Sequence, residues 1–344
     1  MGRVVLVTGV CRDLGGRFAR QIAEHPDVDR VIGVDVVPPR RDLGDVRFVR
    51  ADIRNPVIAK VIAGEDVDTV VHLSVIATPR GAGGRTLMKE INVIGTMQLF
   101  AACQRAPGVE RLVVKSSTQV YGSAARAPAM FTEEMDPAQM PRSGFGKDSV
   151  EVEGYVRGFA RRRPDVSVGM LRCASLIGPR IDTSLARYLS LPVVPTVLGF
   201  DPRLQFCHED DALGALEHAT MAGAHGTFNV AGSGVLTLSQ AVRRLGRPRM
   251  GVPPGVLASL GSVFPQMRAA DLSAELVGLL TYGRGVDTTR MRTVLGYTPR
   301  FTTAEALGDF AARCLPGVLG PERVRAMERG LVGAVGKVGE HGRR

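Results

Sequence analysis

The chain has 344 residues, 44% apolar and 23% charged, which is enough for one large or two fused domains with a real core. Its formal net charge is +10. The basic residues are spread out, the densest run (Arg161-Arg162-Arg163 before Pro164) reads as a helix C-terminus, and there is no Trp and only 5% aromatics to stack on bases; no nucleic-acid partner is expected.

The chain enters a strand at once, VVLV from Val4, with no charged segment leading an apolar one, so no signal peptide is expected. Further strands are expected at VIGV from Val31, VRFV from Val46, TVVHL from Thr69, LVVKS from Leu112 and VSVGML from Val166. Each is a nearly continuous apolar run, as in strands buried on both faces. Helical spacing fills the gaps at Gly16 to Glu24, Thr86 to Gln104 and Lys147 to Arg163. This alternation predicts an α/β fold with a doubly wound parallel sheet. Beyond residue 175 prolines interrupt the pattern, and a smaller, mostly helical substrate lobe is expected. The expected division is 1–175 for the nucleotide-binding domain, with sheet segments returning near 205–232, then 176–335 for the lobe and 336–344 for a disordered tail. The weakly polar stretch Gly255 to Phe264 is too short to span a bilayer. The cysteines, Cys11, Cys103, Cys173, Cys207 and Cys314, are odd in number and form no CxxC. They point to a reducing compartment and no structural zinc, hence a cytoplasmic protein without a membrane partner.

The first strand-turn-helix, VVLVTGVCRDLGGRFARQIA, carries the chemistry. A glycine turn before a helix aims backbone N–H groups and the helix dipole at a pyrophosphate. Asp35, twenty residues after Gly15 at the end of the second strand, suits ribose hydroxyls and repels a 2′-phosphate, which favours NAD over NADP. His208-Glu209-Asp210-Asp211 lacks metal-ligand spacing and reads as loop bracing, so no metal is expected. His72 reads as a satisfied core histidine.

These segments resemble the extended short-chain dehydrogenases, the NAD-dependent epimerase/dehydratase family, nearest to its UDP-glucose 4-epimerase-like members. Thr8-Gly9-Val10-Cys11-Arg12-Asp13-Leu14-Gly15 resembles TGxxGxxG with Arg12 at the second glycine. ADIRNP gives Asp52 and Ile53 at the adenine, and VVHLSVIA gives Leu73, Ser74 and Val75 under the nicotinamide ribose. Asn92 in INVIGTMQLFAAC braces the sheet centre. LVVKSSTQVYGS resembles SSxxVYG and supplies Ser116, Ser117 and Thr118; MLRCASLIGP places Cys173 and Ser175 near the nicotinamide. QFCHEDDALGALEHA and DTTRMRTVLGYTP resemble later signatures.

The resemblance implies a Rossmann-type fold, an NAD cofactor, a nucleotide-sugar substrate and a possible homodimer through the Asn92 and Lys147 helices. Ser117 would polarise the substrate oxygen, with Thr118 beside the substrate. The family's YxxxK puts a phenol and an ammonium on one helix face. Here Lys147 takes the lysine position, holding the ribose, and Ser143 stands four residues before it, where the tyrosine is expected. Of the five tyrosines, Tyr121, after the Ser117 strand, is the one expected stand-in. Arg203 and Gln205 are expected to reach a substrate phosphate. Three functions follow: an epimerase or dehydratase acting by transient hydride transfer, an inert NAD(P)-binding sensor or scaffold, and an oxidoreductase on a non-sugar alcohol or ketone.

Overall fold

A computed structural model describes residues 2–77, 83–137, 139–141, 144–263 and 272–315. Seven parallel strands form the main sheet: β1 (Arg3–Thr8), β2 (Val28–Asp35), β3 (Arg47–Arg50), β4 (Thr69–His72), β5 (Arg111–Ser117), β6 (Ser167–Cys173) and, after four short strands of the lobe, β11 (Gly226–Val230). Their order is β11-β6-β5-β4-β1-β2-β3. The chain winds outward in both directions from β1, so a crevice opens at the carboxyl ends beside β1.

Both sheet faces are covered, which is why the strands read as unbroken apolar runs. On one face Val5, Val7, Val71, Val113 and Leu171 meet Phe18 and Ile22 of α1 (Asp13–Ala23) and Leu213 and Leu216 of α7 (Glu209–Ala222). On the other, Leu6, Val70, Leu112, Val114 and Met170 meet α4 (Thr96–Arg105) and α5 (Gly144–Arg162). Helix α2 (Val57–Gly64) joins that face, and α3 (Arg85–Lys89) runs through a wider π turn, Glu90–Gly95, into α4.

The second lobe is assembled from discontinuous segments. Strands β7 (Ser175–Ile177) and β10 (Phe206–His208), β8 (Val194–Val197) and β13 (Arg249–Val252), and β9 (Arg203–Leu204) and β12 (Leu236–Thr237) form three two-stranded pairs. Helices α6 (Ser184–Leu189), α8 (Leu238–Arg244), α9 (Val256–Val263), α10 (Ala274–Tyr282) and α11 (Thr303–Cys314) surround them. Tyr188, Leu189, Val194, Phe206, Leu280 and Phe310 are among its core residues. Between the lobe's segments, α7 and β11 return to the main sheet. The expected tail, 336–344, lies outside the described residues.

Two buried carboxylates on α5 fix its rotation. Glu153 accepts from Arg172 on β6 (Nε at 2.9 Å, Nη2 at 2.7 Å) and from Ser116 Oγ on β5 (2.7 Å). Arg172 also donates to the Tyr121 hydroxyl (2.7 Å), which donates to Asn229 Oδ1 (2.8 Å). Asp148 accepts from both ends of the Arg85 guanidinium (2.5 and 2.7 Å) and from Asn92 (3.2 Å). Truncating one partner of such a pair strands the other charge in the core. Arg172→Met is therefore expected to cost about 3–5 kcal/mol in urea unfolding.

His72 is fully buried between Thr8 Oγ1 (2.8 Å from Nδ1) and Thr96 Oγ1 (2.9 Å from Nε2). Thr96 donates to Asn92 O, and Thr8 accepts from Leu73 N, so a neutral ring protonated at Nε2 satisfies every group. Burial pushes the His72 pKa down to about 4. The unfolded chain, with a pKa near 6.5, takes the proton first. Stability is therefore complete above about pH 6.5 and falls as the pH drops towards 4, by roughly 3 kcal/mol. Urea titrations at pH 7 and pH 4.5 should show this loss in the wild type and a smaller one in His72→Gln.

Candidate functional site

The turn after β1 is written in its glycines. Gly9 has φ +82°, and a Cβ there would lie 3.0 Å from the Leu73 carbonyl. A Cβ on Gly15 would lie 2.2 Å from Gly9 O, so only glycine lets α1 start against the turn. Arg12 is different: its φ of −94° and ψ of 154° are ordinary extended backbone. A side chain at this position therefore meets no backbone strain. Asp35 Oδ2 accepts from Cys11 N (3.1 Å) and Oδ1 from Val36 N (2.8 Å), so the carboxylate ties β2 to the turn. Burial lowers the Arg12 pKa, and the neighbouring Asp35 opposes that. Burial, and secondly the Asp35 hydrogen bond, push the Cys11 thiol up to about 12. Asp13 opens α1 and pairs with Arg41 (2.7 Å); Leu14 packs against the core.

A cleft of about 940 Å³ runs from this turn past Asp35 and Asp52 to Leu87 and Ile91. Seven arginines line it (Arg12, Arg17, Arg20, Arg40, Arg41, Arg54 and Arg180) against five carboxylates (Asp13, Glu24, Asp35, Asp42 and Asp52). The balance is positive, as a bound pyrophosphate requires. Arg54 is forked onto Asp52 (Nη2–Oδ2 2.6 Å), and Arg17 pairs with Glu209 (2.9 Å). Ile53 is buried beneath Gly95. Leu73 and Ser74 are buried where β4 ends, and Leu73 N donates to Thr8 Oγ1. Val75 joins Ile76, Met88 and Phe145 in an apolar cluster. Asn92 is fully engaged with the backbone of Ile76, accepting from its N (2.7 Å) and donating to its O (2.9 Å); it braces this exit.

The catalytic end departs from the sequence reading. Ser117 ends β5 half-buried, its Oγ accepting from Gln119 N (3.2 Å), and Thr118 is buried beside it. Ser116 points to the opposite face, bonded to Glu153, and is not free to hold a cofactor. Lys147 is exposed, and Ser143 lies outside the described residues. The inward face of α5 carries Phe145, Ser149, Val152, Val156 and Phe159. At about 100° per residue, Lys147 is turned roughly 200° from Phe145. The i, i+4 pair facing the fold is thus Phe145 and Ser149, and the Ser149 hydroxyl donates back to Phe145 O (2.9 Å). No tyrosine compensates. Tyr121, the stand-in considered, stacks on Phe131 at 4.6 Å with its hydroxyl inside the Arg172 network, and burial raises its pKa. Tyr155, on α5 itself, packs partly buried against the core beneath that helix, Tyr188 bonds Pro195 O, Tyr282 stands edge-on to Phe200, and the Tyr297 hydroxyl is 3.4 Å from Asp211.

The remaining expected residues divide. Cys173 is buried and hydrogen-bonded with Cys207, which holds its thiol below the usual range, so it belongs to the core. Ser175, Thr118 and Gln205 line a second cavity of about 10 Å³ between the lobes. Gln205 donates to Gly232 O (3.0 Å) and accepts from Val286 N (2.8 Å). Arg203 is exposed and does not line this cavity; Arg284, which the sequence reading passed over, does. Its signal in the sequence is weak: an arginine between two glycines. His208 bonds Asp309, Glu209 and Asp210 both accept from Arg17, and Asp211 accepts from the Arg300 backbone, so the four do not converge on one point. Among the described residues no group of three or more such side chains is placed to hold a metal ion, and no helix is long and apolar enough to cross a membrane. The glycine turn, the α1 N-terminus and Asp35 fit the adenosine and pyrophosphate half of a dinucleotide. The end beside α5 offers neither phenol nor ammonium from the i, i+4 pair.

Comparison with known proteins agrees with this architecture. A Mycobacterium tuberculosis relative, uncharacterized protein Rv0501, is 51% identical over 336 residues, covering 96% of this chain and 89% of its own. The fold is similar to that of UDP-glucose 4-epimerase from Thermotoga maritima (TM-score 0.69, 18% identity, 90% of this chain and 98% of that one). It is also similar to UDP-glucuronic acid 4-epimerase from Bacillus cereus, solved with UDP-glucuronic acid and NAD (TM-score 0.68, 18% identity, 90% and 98%). The model of the NAD dependent epimerase/dehydratase family matches residues 5–231, and the chain belongs to that family.

Proposed function

We propose that this chain binds an adenine dinucleotide, NAD(H) ahead of NADP(H), together with a nucleotide sugar, and that it does not run the tyrosine-dependent hydride exchange of its family. The carrying observation is the buried pair Phe145 and Ser149 on the inward face of α5, with Lys147 exposed. Proton transfer between a substrate hydroxyl and the protein needs a titratable group in reach. A phenyl ring has none, and an aliphatic hydroxyl is far too weak an acid. The preference for NAD rests on Asp35, whose charge at the β2 end repels a 2′-phosphate. The nucleotide sugar rests on family membership and on the ligands of structural neighbours. A homodimer through α4 and α5 belongs to the same reading; Ile94 and Met97 are exposed beside that face.

A second reading, turnover of the sugar by transient hydride transfer, is favoured by one observation. Glu275 on α10 lies against Gly144 at the start of α5, its Oε1 buried without a hydrogen bond, and burial raises its pKa. In that reading Glu275 carries the proton and Ser117 polarises the sugar oxygen.

Two experiments follow. Calorimetry should find NAD⁺ affinity unchanged within about twofold in Lys147→Ala and reduced tenfold or more in Asp35→Ala; a large loss on Lys147→Ala would restore that lysine to the site. UDP-sugar turnover, followed through the transient reduced nicotinamide and the product sugar, should be absent in the wild type. It should appear in the double variant Phe145→Tyr/Ser149→Lys. Wild-type turnover lost in Ser117→Ala and Glu275→Gln would establish the second reading instead.

A further inference from the structure

One end of the second lobe shows apolar side chains that its core does not use. Leu198, Phe200, Val256 and Tyr282 are 54%, 41%, 39% and 44% exposed. Three elements bring them to the same end of the β8–β13 pair. The parallel pairing of β8 with β13 runs on past both strands, where Leu198 N donates to Val252 O (2.9 Å). Leu198 lies over Gly251, which has no room for a Cβ. Gly199 follows with φ +82°, and beyond that turn Phe200 stands edge-on to Tyr282 at the end of α10, ring centroids 5.8 Å apart. Val256 opens α9 just after β13.

The segments that build this end are positively charged. From Ala231 to Val263 the chain carries Arg243, Arg244, Arg247 and Arg249 and no carboxylate. Arg243 and Arg244 close α8, are exposed, and form no ion pair among the described residues. Arg247 leads into β13 and Arg249 opens it, its charge reaching Asp201 beside Phe200. Asp201 is itself engaged by α8, accepting from Ser239 N (2.8 Å) and Ser239 Oγ (2.7 Å). Arg203, also exposed, lies against Gly283, the residue after Tyr282.

Exposed aliphatic and aromatic side chains beside arginines suit a partner that is apolar within and anionic at its surface. A polyanion such as RNA would use the arginines but gain little from Leu198 or Val256. We propose that this end of the second lobe docks on the surface of an anionic lipid bilayer, with Leu198, Phe200, Val256 and Tyr282 entering the interface and the arginines lying among the headgroups. A protein lying on a bilayer needs no spanning segment, so docking stands against the expectation of no membrane partner without contradicting the shortness of the Gly255 to Phe264 stretch. None of these residues lines the dinucleotide cleft, so docking is independent of the ligand bound there.

The chain has no tryptophan, so Phe200→Trp supplies a single fluorescent probe. The full chain with this substitution is titrated with vesicles of phosphatidylcholine alone and of phosphatidylcholine and phosphatidylglycerol in equal parts. Its emission should move to the blue with at least about tenfold higher affinity for the anionic vesicles, and that affinity should fall as salt rises. In co-sedimentation without the probe, Arg243→Gln/Arg244→Gln should lower the anionic affinity about 25-fold, at about fivefold per arginine. Leu198→Ser should lower it roughly fivefold or more. Each variant should keep the wild-type thermal midpoint, which separates lost docking from lost folding. No binding, or equal affinity for the two vesicles, overturns the membrane surface. A loss confined to the arginine variant, with Leu198→Ser unchanged, marks a general polyanion site and overturns it too. A blue emission without vesicles that grows with protein concentration shows a second copy of the chain on this patch, and overturns it in favour of self-association.

Discussion

The rotation of α5 is the constraint on which the rest of the site depends. A 19-residue helix packed on a sheet can turn about its axis at little cost if only apolar side chains hold it, because one Val or Leu contact replaces another. Buried carboxylates remove that freedom. Glu153 has to meet Arg172 and Ser116, and Asp148 has to meet Arg85 and Asn92, since either charge left unpaired in the core costs several kcal/mol. With those two anchored, Ser149 and Phe145 follow one and two turns before Glu153 on the same stripe, and Lys147 is left outside. Which side chains α5 turns towards this cleft is thus decided by ion pairs within the fold.

The opposite end of the cleft is built by backbone geometry. Gly9 and Gly15 are required by close approach, Asp35 holds the turn from the next strand, and the α1 N-terminus faces the space where arginines outnumber carboxylates. None of this needs the catalytic pair. A nucleotide site made from main-chain N–H groups and a helix dipole does not depend on the side chains at the other end of the cleft, so binding and turnover are separable in one fold.

How much of this was legible in the sequence follows from the range of the forces involved. The strands were legible because burial on both faces writes itself as unbroken apolar runs, and the glycine turn because only glycine tolerates its geometry. Ser116 and Ser117 could have been told apart by strand alternation, which sends neighbours to opposite faces. Lys147 fits the motif by residue type alone, whereas the apolar stripe of Phe145, Val152, Val156 and Phe159, readable in the sequence, places position 147 on the exposed side of the helix. Arg284 was barely legible, as an arginine between two glycines. Its setting is made by Gly122, Thr118, Ser175 and Gln205, between 79 and 166 residues away in the chain.

That long-range setting links the two ends of the cleft. Thr118 and Gly122 continue directly from Ser117, so the segment that carries the retained serine also carries the wall and the acceptor that hold Arg284. The position of Ser117 and the setting of Arg284 are therefore not independent, because a shift of the 3₁₀ turn Thr118–Tyr121 moves the end of β5 and the acceptor of the Arg284 guanidinium together.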